Sequence, residues 1–384
     1  MNNKSVGIIT IHKSLLSYGA CLQSYALWKY IKTLGYKCEI IDLYRPVMKG
    51  YSNNTHSLTF STTPKNKKYN FKNYLRLYFD NFFSRNISTN PQKTQRFQAF
   101  NSLIDYSTSY NSIDALYRNP PIYDYYISGS DQIWNPDMPF ENEPYLLNFV
   151  PYDKKRISYA SSFGRNNLPE KYKKHYQNSL KHYDSISVRE ESGKNIIKEL
   201  LGLDSEVVLD PTMLFDANFW QTRSIQPDLK QKYLFCFSLH NNKDLLYFAS
   251  NICKRKGLDL VVISDKPIQF EKITVINVPN SGPQEWLGLI EKADFVITDS
   301  FHGTVFSILF EKQFLSFVNT INSETTCSSR IENLLTQLSL NNYLLTNLKS
   351  NFEEITESID FKIVNNTLEI LRAASFEYLS NVLK

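Results

Sequence analysis

The segment from Asp294 to Phe310, DFVITDSFHGTVFSILF, constrains the fold of this chain more than any other stretch. Phe295, Val296 and Ile297 form a short, partly β-branched apolar run of the kind that fills a buried strand. Thr298, Asp299 and Ser300 interrupt it, His302 and Gly303 follow, and Val305, Ile308 and Leu309 then share one face at helical spacing. Strand, tight polar turn and helix is the unit that places backbone N–H groups and a helix N-terminus at the carboxyl edge of a parallel sheet. Anionic ligands bind readily there. His302 adds a group that can donate, accept or carry a proton near neutral pH. The plainer alternative is a strand–helix corner in which Asp299 or Ser300 caps the helix and His302 packs.

At 384 residues the chain is longer than one core ordinarily supports, about 250–300 residues, so two domains are expected. A hydrophobic content of 42% with 21% charged residues describes a globular protein. The net charge is +5 without a block of like charges, which provides no basic stripe for a nucleic-acid track. That balance suits anionic small ligands or a lipid headgroup surface instead. Cys21, Cys38, Cys236, Cys253 and Cys327 are scattered, odd in number and without CxxC spacing. They read as buried thiols in a reducing compartment, with no zinc site. No signal-peptide pattern opens the chain and no apolar run approaches 18 residues, so a cytoplasmic placement is expected. Peripheral attachment to the inner membrane face stays open.

In chain order, residues 5–11 read as a strand, 19–34 as an amphipathic helix ended by Gly35, and 38–43 as the next strand. This is the βαβ opening of a Rossmann-like domain, yet its loop lacks GxGxxG, so no dinucleotide is indicated. Residues 44–70 look like a polar surface excursion, followed by helical patterns near 71–84 and 92–105. Strands at 123–127, 155–160, 185–188 and 206–210 interleave with helices at 169–182 and 192–201. A linker at 221–231 introduces a second alternating series, with strands at 233–239, 258–264, 273–278, 295–297 and 313–318. The expected organisation is a Rossmann-like domain over 1–222, a second over 232–350 and a helical tail over 351–384, the two α/β domains facing each other across a cleft. The polar, aperiodic segment 319–329 is expected to act as a lid that brings Arg330 over a bound anion.

Seven stretches taken in order carry a family resemblance. They are Tyr18–Leu27 (YGACLQSYAL), Gly129–Pro136 (GSDQIWNP), Arg156–Gly164 (RISYASSFG), Ser187–Glu191 (SVREE), Val208–Thr212 (VLDPT), Asp299–Gly303 (DSFHG) and Ser329–Leu335 (SRIENLL). Together they resemble the polysaccharide pyruvyl transferase family over roughly residues 5–340. The resemblance implies a two-domain fold like the GT-B glycosyltransferases, with the acceptor on the N-terminal side and the donor on the C-terminal side. It also implies transfer of the enolpyruvyl carbons of phosphoenolpyruvate onto a sugar as a cyclic ketal. The family's histidine matches His302 and its donor-binding arginine matches Arg189. Other branches carry an arginine two residues before the histidine, where this chain has Ser300, and Arg330 is the candidate to replace it.

Phosphoenolpyruvate carries a phosphate and a carboxylate, which call for planar bidentate donors and oriented N–H groups. The donor set read from the sequence is therefore Arg189, Ser300, His302, Gly303 and Arg330. His302 is the expected acid or phosphate contact, and Asp131 or Asp299 the base that takes a proton from the acceptor. Gly19, Gln23, Gln132 and Trp134 form the expected acceptor side, although Gly19 and Gln23 could equally serve helix packing and Trp134 leans toward interface core. No metal, nucleotide or redox cofactor is required. The expected partners are phosphoenolpyruvate and a sugar acceptor, lipid-linked oligosaccharides included, and no nucleic acid is expected. Two other classes stay open: a nucleotide-sugar glycosyltransferase on the same fold, and a non-catalytic glycan-binding subunit of a capsule synthesis complex.

Overall fold

The structure is a computed structural model that describes residues 4–15, 17–44, 90–138, 140–239, 242–318, 328–348 and 358–384, with the side chains of residues 328 and 329 set aside. The expected helix at 71–84, most of the expected excursion at 44–70, the expected lid at 319–327 and Cys327 lie outside the described residues.

The first half builds a parallel sheet from β1 (Ser5–Ile9), β2 (Lys37–Ile40), β3 (Tyr125–Ser128) and β4 (Lys155–Ser158), in the order β2-β1-β3-β4. A short parallel pair, β5 (Ser187–Val188) and β6 (Glu206–Val207), continues it through bridges from Ile157 to Ser185 and from Ser161 to Val188. Helices α1 (Tyr18–Thr33), α2 (Pro91–Asn101), α3 (Ile113–Arg118), α4 (Glu170–Leu180), α5 (Glu191–Leu201) and α6 (Ala217–Gln221) accompany these strands. Strands β1 and β3 are almost continuously buried, as parallel strands covered on both faces must be.

The second half is one six-stranded parallel sheet, ordered β12-β11-β10-β7-β8-β9. Its strands are β7 (Tyr233–Phe237), β8 (Asp259–Val262), β9 (Val275–Asn277), β10 (Phe295–Thr298), β11 (Phe314–Phe317) and β12 (Leu344–Leu345). The helices are α7 (Lys243–Lys256), α8 (Pro283–Lys292), α9 (Phe301–Leu309) and α10 (Ser328–Gln337). The short edge strand β12 extends the sheet past β11, where the sequence suggests closure, because two residues show no periodicity. Helix α9 is buried along its whole length, so its apolar character runs all round rather than along one stripe.

One continuous core runs through both halves, from Ile8 and Leu22 to Trp286 and Phe306. The last helix, α11 (Phe361–Val382), returns to the first half. Arg372 Nε donates to the Met213 carbonyl at 2.8 Å, Tyr378 Oη to the Ser158 carbonyl at 2.8 Å, and Ser375 Oγ accepts from the Leu209 amide at 3.0 Å. Cys21, Cys38, Cys236 and Cys253 are buried, as the sequence suggests, and form no disulfide among the described residues. No helix among the described residues is long and apolar enough to cross a membrane.

The segment between the halves is held closely. The Ile225 amide donates to the Gln284 carbonyl at 2.9 Å, and a Cβ at Gly288 of α8 would fall 1.9 Å from the Ile225 oxygen. Gly288→Ala is therefore expected to force the linker backbone off α8 and to lower stability by about 1–3 kcal/mol in urea denaturation.

Candidate active site

The carboxyl ends of the strands in the two halves meet at a cluster of ionic side chains. Asp210 sits just after β6 and starts a short 3-10 turn, Pro211–Leu214. Its Oδ1 accepts from the Thr212 amide at 3.0 Å and the Thr212 hydroxyl at 2.7 Å. Its Oδ2 accepts from Ser130 Oγ at 3.0 Å and from Arg189 Nη1 at 2.8 Å. Both partners of the Arg189–Asp210 pair are buried.

Burial would raise the Asp210 carboxyl, but the His302 ring, the Arg189 guanidinium and the Thr212 amide outweigh it and hold the group well below the usual carboxylate range. Burial likewise works against charge on Arg189, yet Asp210, Glu190 and Asp131 overcome it and bind the guanidinium proton more firmly than usual.

His302 arrives from the other half, in the first turn of α9. Its Nε2 lies 3.7 Å from Asp210 Oδ2, longer than a hydrogen bond, and no described residue bonds to that nitrogen. The opposite edge of the ring is seated on α1, where a Cβ at Gly19 would fall 2.1 Å from His302 Nδ1. Only a glycine lets the N-terminus of α1 approach the ring this closely. Phe301 lies near both arginines, its ring centroid 4.4 Å from Arg189 Cζ and 5.7 Å from Arg330 Cζ. Asp131 faces both: its Oδ1 is 3.9 Å from Arg189 Nη2 and 3.8 Å from Arg330 Nη1. Buried Arg189 Nε and Nη2, Arg330 Nε and Glu190 Oε2 also have no hydrogen-bond partner among the described residues. Such a concentration of unpaired buried polar atoms points to a ligand that supplies the missing bonds.

Arg189, His302, Arg330 and Asp131 are thus brought together. Ser300 caps α9, its Oγ accepting the Gly303 amide at 3.3 Å, so that amide already has a partner within the turn. Gly303 also admits Thr298, whose Oγ1 would lie 2.4 Å from a Cβ there. Asp299 is engaged with the loop after β7: Ser238 Oγ donates to Oδ2 at 2.8 Å and the Leu239 amide to Oδ1 at 2.7 Å.

Two expected acceptor contacts are corrected. Trp134 is 0% exposed, its indole N–H donating to Ser128 Oγ and the Tyr145 carbonyl, so it belongs to the core and presents no face to a sugar. Gln23 is also 0% exposed and ties α1 to the loop after β1 through Thr10 Oγ1 and the Ile11 carbonyl. Gly19 serves the seat of His302. Gln132 is half-buried, its Oε1 accepting from Asn135 at 2.8 Å. Sequence reasoning assigned no role to Asp210, Glu190 or Phe301. Asp210 had a visible signal, an aspartate followed by Pro211 and Thr212 directly after a strand.

A family model described as polysaccharide pyruvyl transferase matches residues 18–320. The chain belongs to the polysaccharide pyruvyl transferase family. Arg330 falls just beyond the matched range. No curated protein matches the sequence. Among solved structures, the chain is similar to a putative UDP-N-acetylglucosamine 2-epimerase from Listeria monocytogenes, with 11% identity, a TM-score of 0.51, and 97% of this chain and 91% of that one covered. It is also similar to an α-glucosyltransferase solved with UDP and a 13-mer DNA, with 9% identity, a TM-score of 0.48 and 99% of both chains covered. At these identities the likeness concerns the fold, α/β with two parallel sheets of the GT-B kind.

The buried pair yields a prediction. Asp210→Asn leaves the Arg189 charge without its nearest partner and is expected to cost about 3–5 kcal/mol in urea denaturation at neutral pH. Because the Asp210 carboxyl is depressed on folding, its contribution is complete above the unfolded value of about 4 and is lost as pH falls toward the folded value. The gap between wild type and variant should therefore narrow below about pH 4.

Proposed function

We propose that this protein transfers pyruvate from phosphoenolpyruvate to two hydroxyls of one hexose in a surface polysaccharide or its lipid-linked precursor, forming a cyclic ketal and releasing phosphate. The observation that carries this reading is the meeting of Arg189, Arg330 and His302, each with a buried nitrogen that no described residue satisfies. Two guanidiniums packed near one aromatic ring suit a ligand bearing both a carboxylate and a phosphate. Family membership supplies the reaction class.

In this reading the donor's methylene carbon takes a proton and its C2 becomes electrophilic. The first sugar hydroxyl adds to C2 and loses its proton. The C2–O bond to phosphate then breaks, and the second hydroxyl closes the ring as it too loses a proton. The net result is one ketal carboxylate and hydrogen phosphate. In this reading His302 Nε2 delivers a proton to the donor or holds the departing phosphate. Asp131, whose side chain is 15% exposed, is the carboxylate open to an acceptor, whereas both oxygens of Asp299 are engaged. General acid or base assistance of this sort is worth about 10²–10⁴-fold.

Phosphate release from phosphoenolpyruvate, with and without acceptor glycan, tests the reading, and UDP release from UDP-sugars serves as the control. Acceptor-dependent phosphate release should fall at least about 10²-fold in His302→Ala with thermal unfolding unchanged. Arg189→Lys keeps the charge but loses the planar fork and should weaken donor binding far more than acceptor binding by calorimetry. UDP release in place of phosphate release would overturn the assignment.

A further inference from the structure

The ionic groups of this site carry the wrong total charge for their ligand. Arg189 faces Asp210 at 2.8 Å, Glu190 at 3.7 Å and Asp131 at 3.9 Å, and Arg330 faces Asp131 at 3.8 Å. Two guanidiniums against three carboxylates leave the set one negative charge in excess, and a proton on His302 would only bring it to neutral. A ligand with a phosphate and a carboxylate cannot enter such a set favourably unless one carboxylate withdraws.

The structure distinguishes which one can. Asp210 is fully buried and accepts from Arg189, Ser130 and both the amide and hydroxyl of Thr212. Glu190 is 1% exposed, and its Oε1 accepts from Ser162 Oγ at 2.6 Å. Asp131 is held differently. Its one hydrogen bond given by a described residue comes from the adjacent Gln132 amide at 2.8 Å, and its contacts with both arginines are longer than hydrogen bonds. Its backbone is left-handed, φ +72°, a conformation that aspartate and asparagine tolerate better than most residues.

We propose that Asp131 is an anion placeholder: its carboxylate stands between Arg189 and Arg330 where an oxygen of the donor binds, and it must be displaced for the donor to enter. This rests on the donor reading above only for the identity of the anion. The displaced carboxylate is free to accept a hydroxyl proton only once the donor is in place, so donor binding precedes a competent acceptor site.

Asp131→Asn tests this, because it keeps the shape, the left-handed backbone and the bond from Gln132 while removing the charge. Asp131→Gly, also compatible with φ +72°, removes the side chain altogether. Calorimetric titrations of wild type and both variants use phosphoenolpyruvate in one arm and inorganic phosphate in the other. Both variants should bind the anion about tenfold or more tightly than wild type while acceptor-dependent phosphate release falls. Tightening with phosphate alone, and no phosphoenolpyruvate binding by any of the three proteins, would sink the donor reading and leave the placeholder standing. Unchanged or weaker binding of both anions in the variants, or no binding of either anion by any protein, would overturn the placeholder, since a carboxylate that merely orients the arginines predicts that loss.

Discussion

The arrangement of the site depends on the buried ion pair between Arg189 and Asp210. Arg189 follows β5 and Asp210 follows β6, two-residue strands with little pairing of their own, so the pair and the Thr212 bonds fix where both chain segments end. Removing two charges from water costs several kcal/mol each, and attraction at 2.8 Å offsets that only because the remaining lone pairs of Asp210 are also satisfied. A hydrophobic replacement could serve stability as well. What the pair provides instead is a guanidinium held in one orientation, with Nε and Nη2 directed away from Asp210 and still unsatisfied.

The second constraint is steric. His302 stands in the first turn of a helix that is buried on every side, so the ring cannot be adjusted by moving α9. Its position is set from below by Gly303 against Thr298 and from the opposite half by Gly19 at the start of α1. The geometry of the cluster is therefore built from absent side chains as much as from present ones. Glycines at positions 19 and 303 bring the two halves within reach of a single imidazole, and Ser300 satisfies the helix end without protruding into that space.

Much of this was legible in the sequence, for physical reasons that differ by element. Parallel strands buried on both faces show as apolar runs, and the helices α1, α7 and α8 show 3.6-residue spacing with Gly or Pro punctuation, so their existence and type follow from pattern. Edge strand β12 and helix α3 are too short to carry a period. At the site, the convergence of Arg189, His302 and Arg330 was readable from ordered motifs. Trp134 and Gln23 were not readable in the same way. Each lies beside a motif residue, and whether such a side chain faces the ligand or the core depends on which distant groups satisfy it. Ser128 and Tyr145 take the Trp134 indole, and Thr10 and Ile11 take the Gln23 amide. The Asp-Pro-Thr signal at Asp210 was visible, but its role as the partner of Ser130 and Arg189 was not, because both are remote in sequence.

The join between the halves bears on how a ligand is accommodated. Tyr18, at the N-terminus of α1, stacks on Trp286 of α8 with centroids 5.5 Å apart, meets Phe237 edge-on, and donates its hydroxyl to the Ser281 carbonyl at 2.8 Å. Burial pushes that phenol well above its usual range, so it remains a neutral donor. The returning helix α11 adds bonds from Arg372 and Tyr378 to the first half. Rotating the halves apart would expose this aromatic packing and break buried hydrogen bonds, each costing about 1–3 kcal/mol when left unmade. Swinging one partly exposed side chain breaks far less. Local rearrangement at Asp131 is therefore the less costly response to an incoming anion, and the ion cluster can reset its charge while the two sheets stay where the shared core holds them.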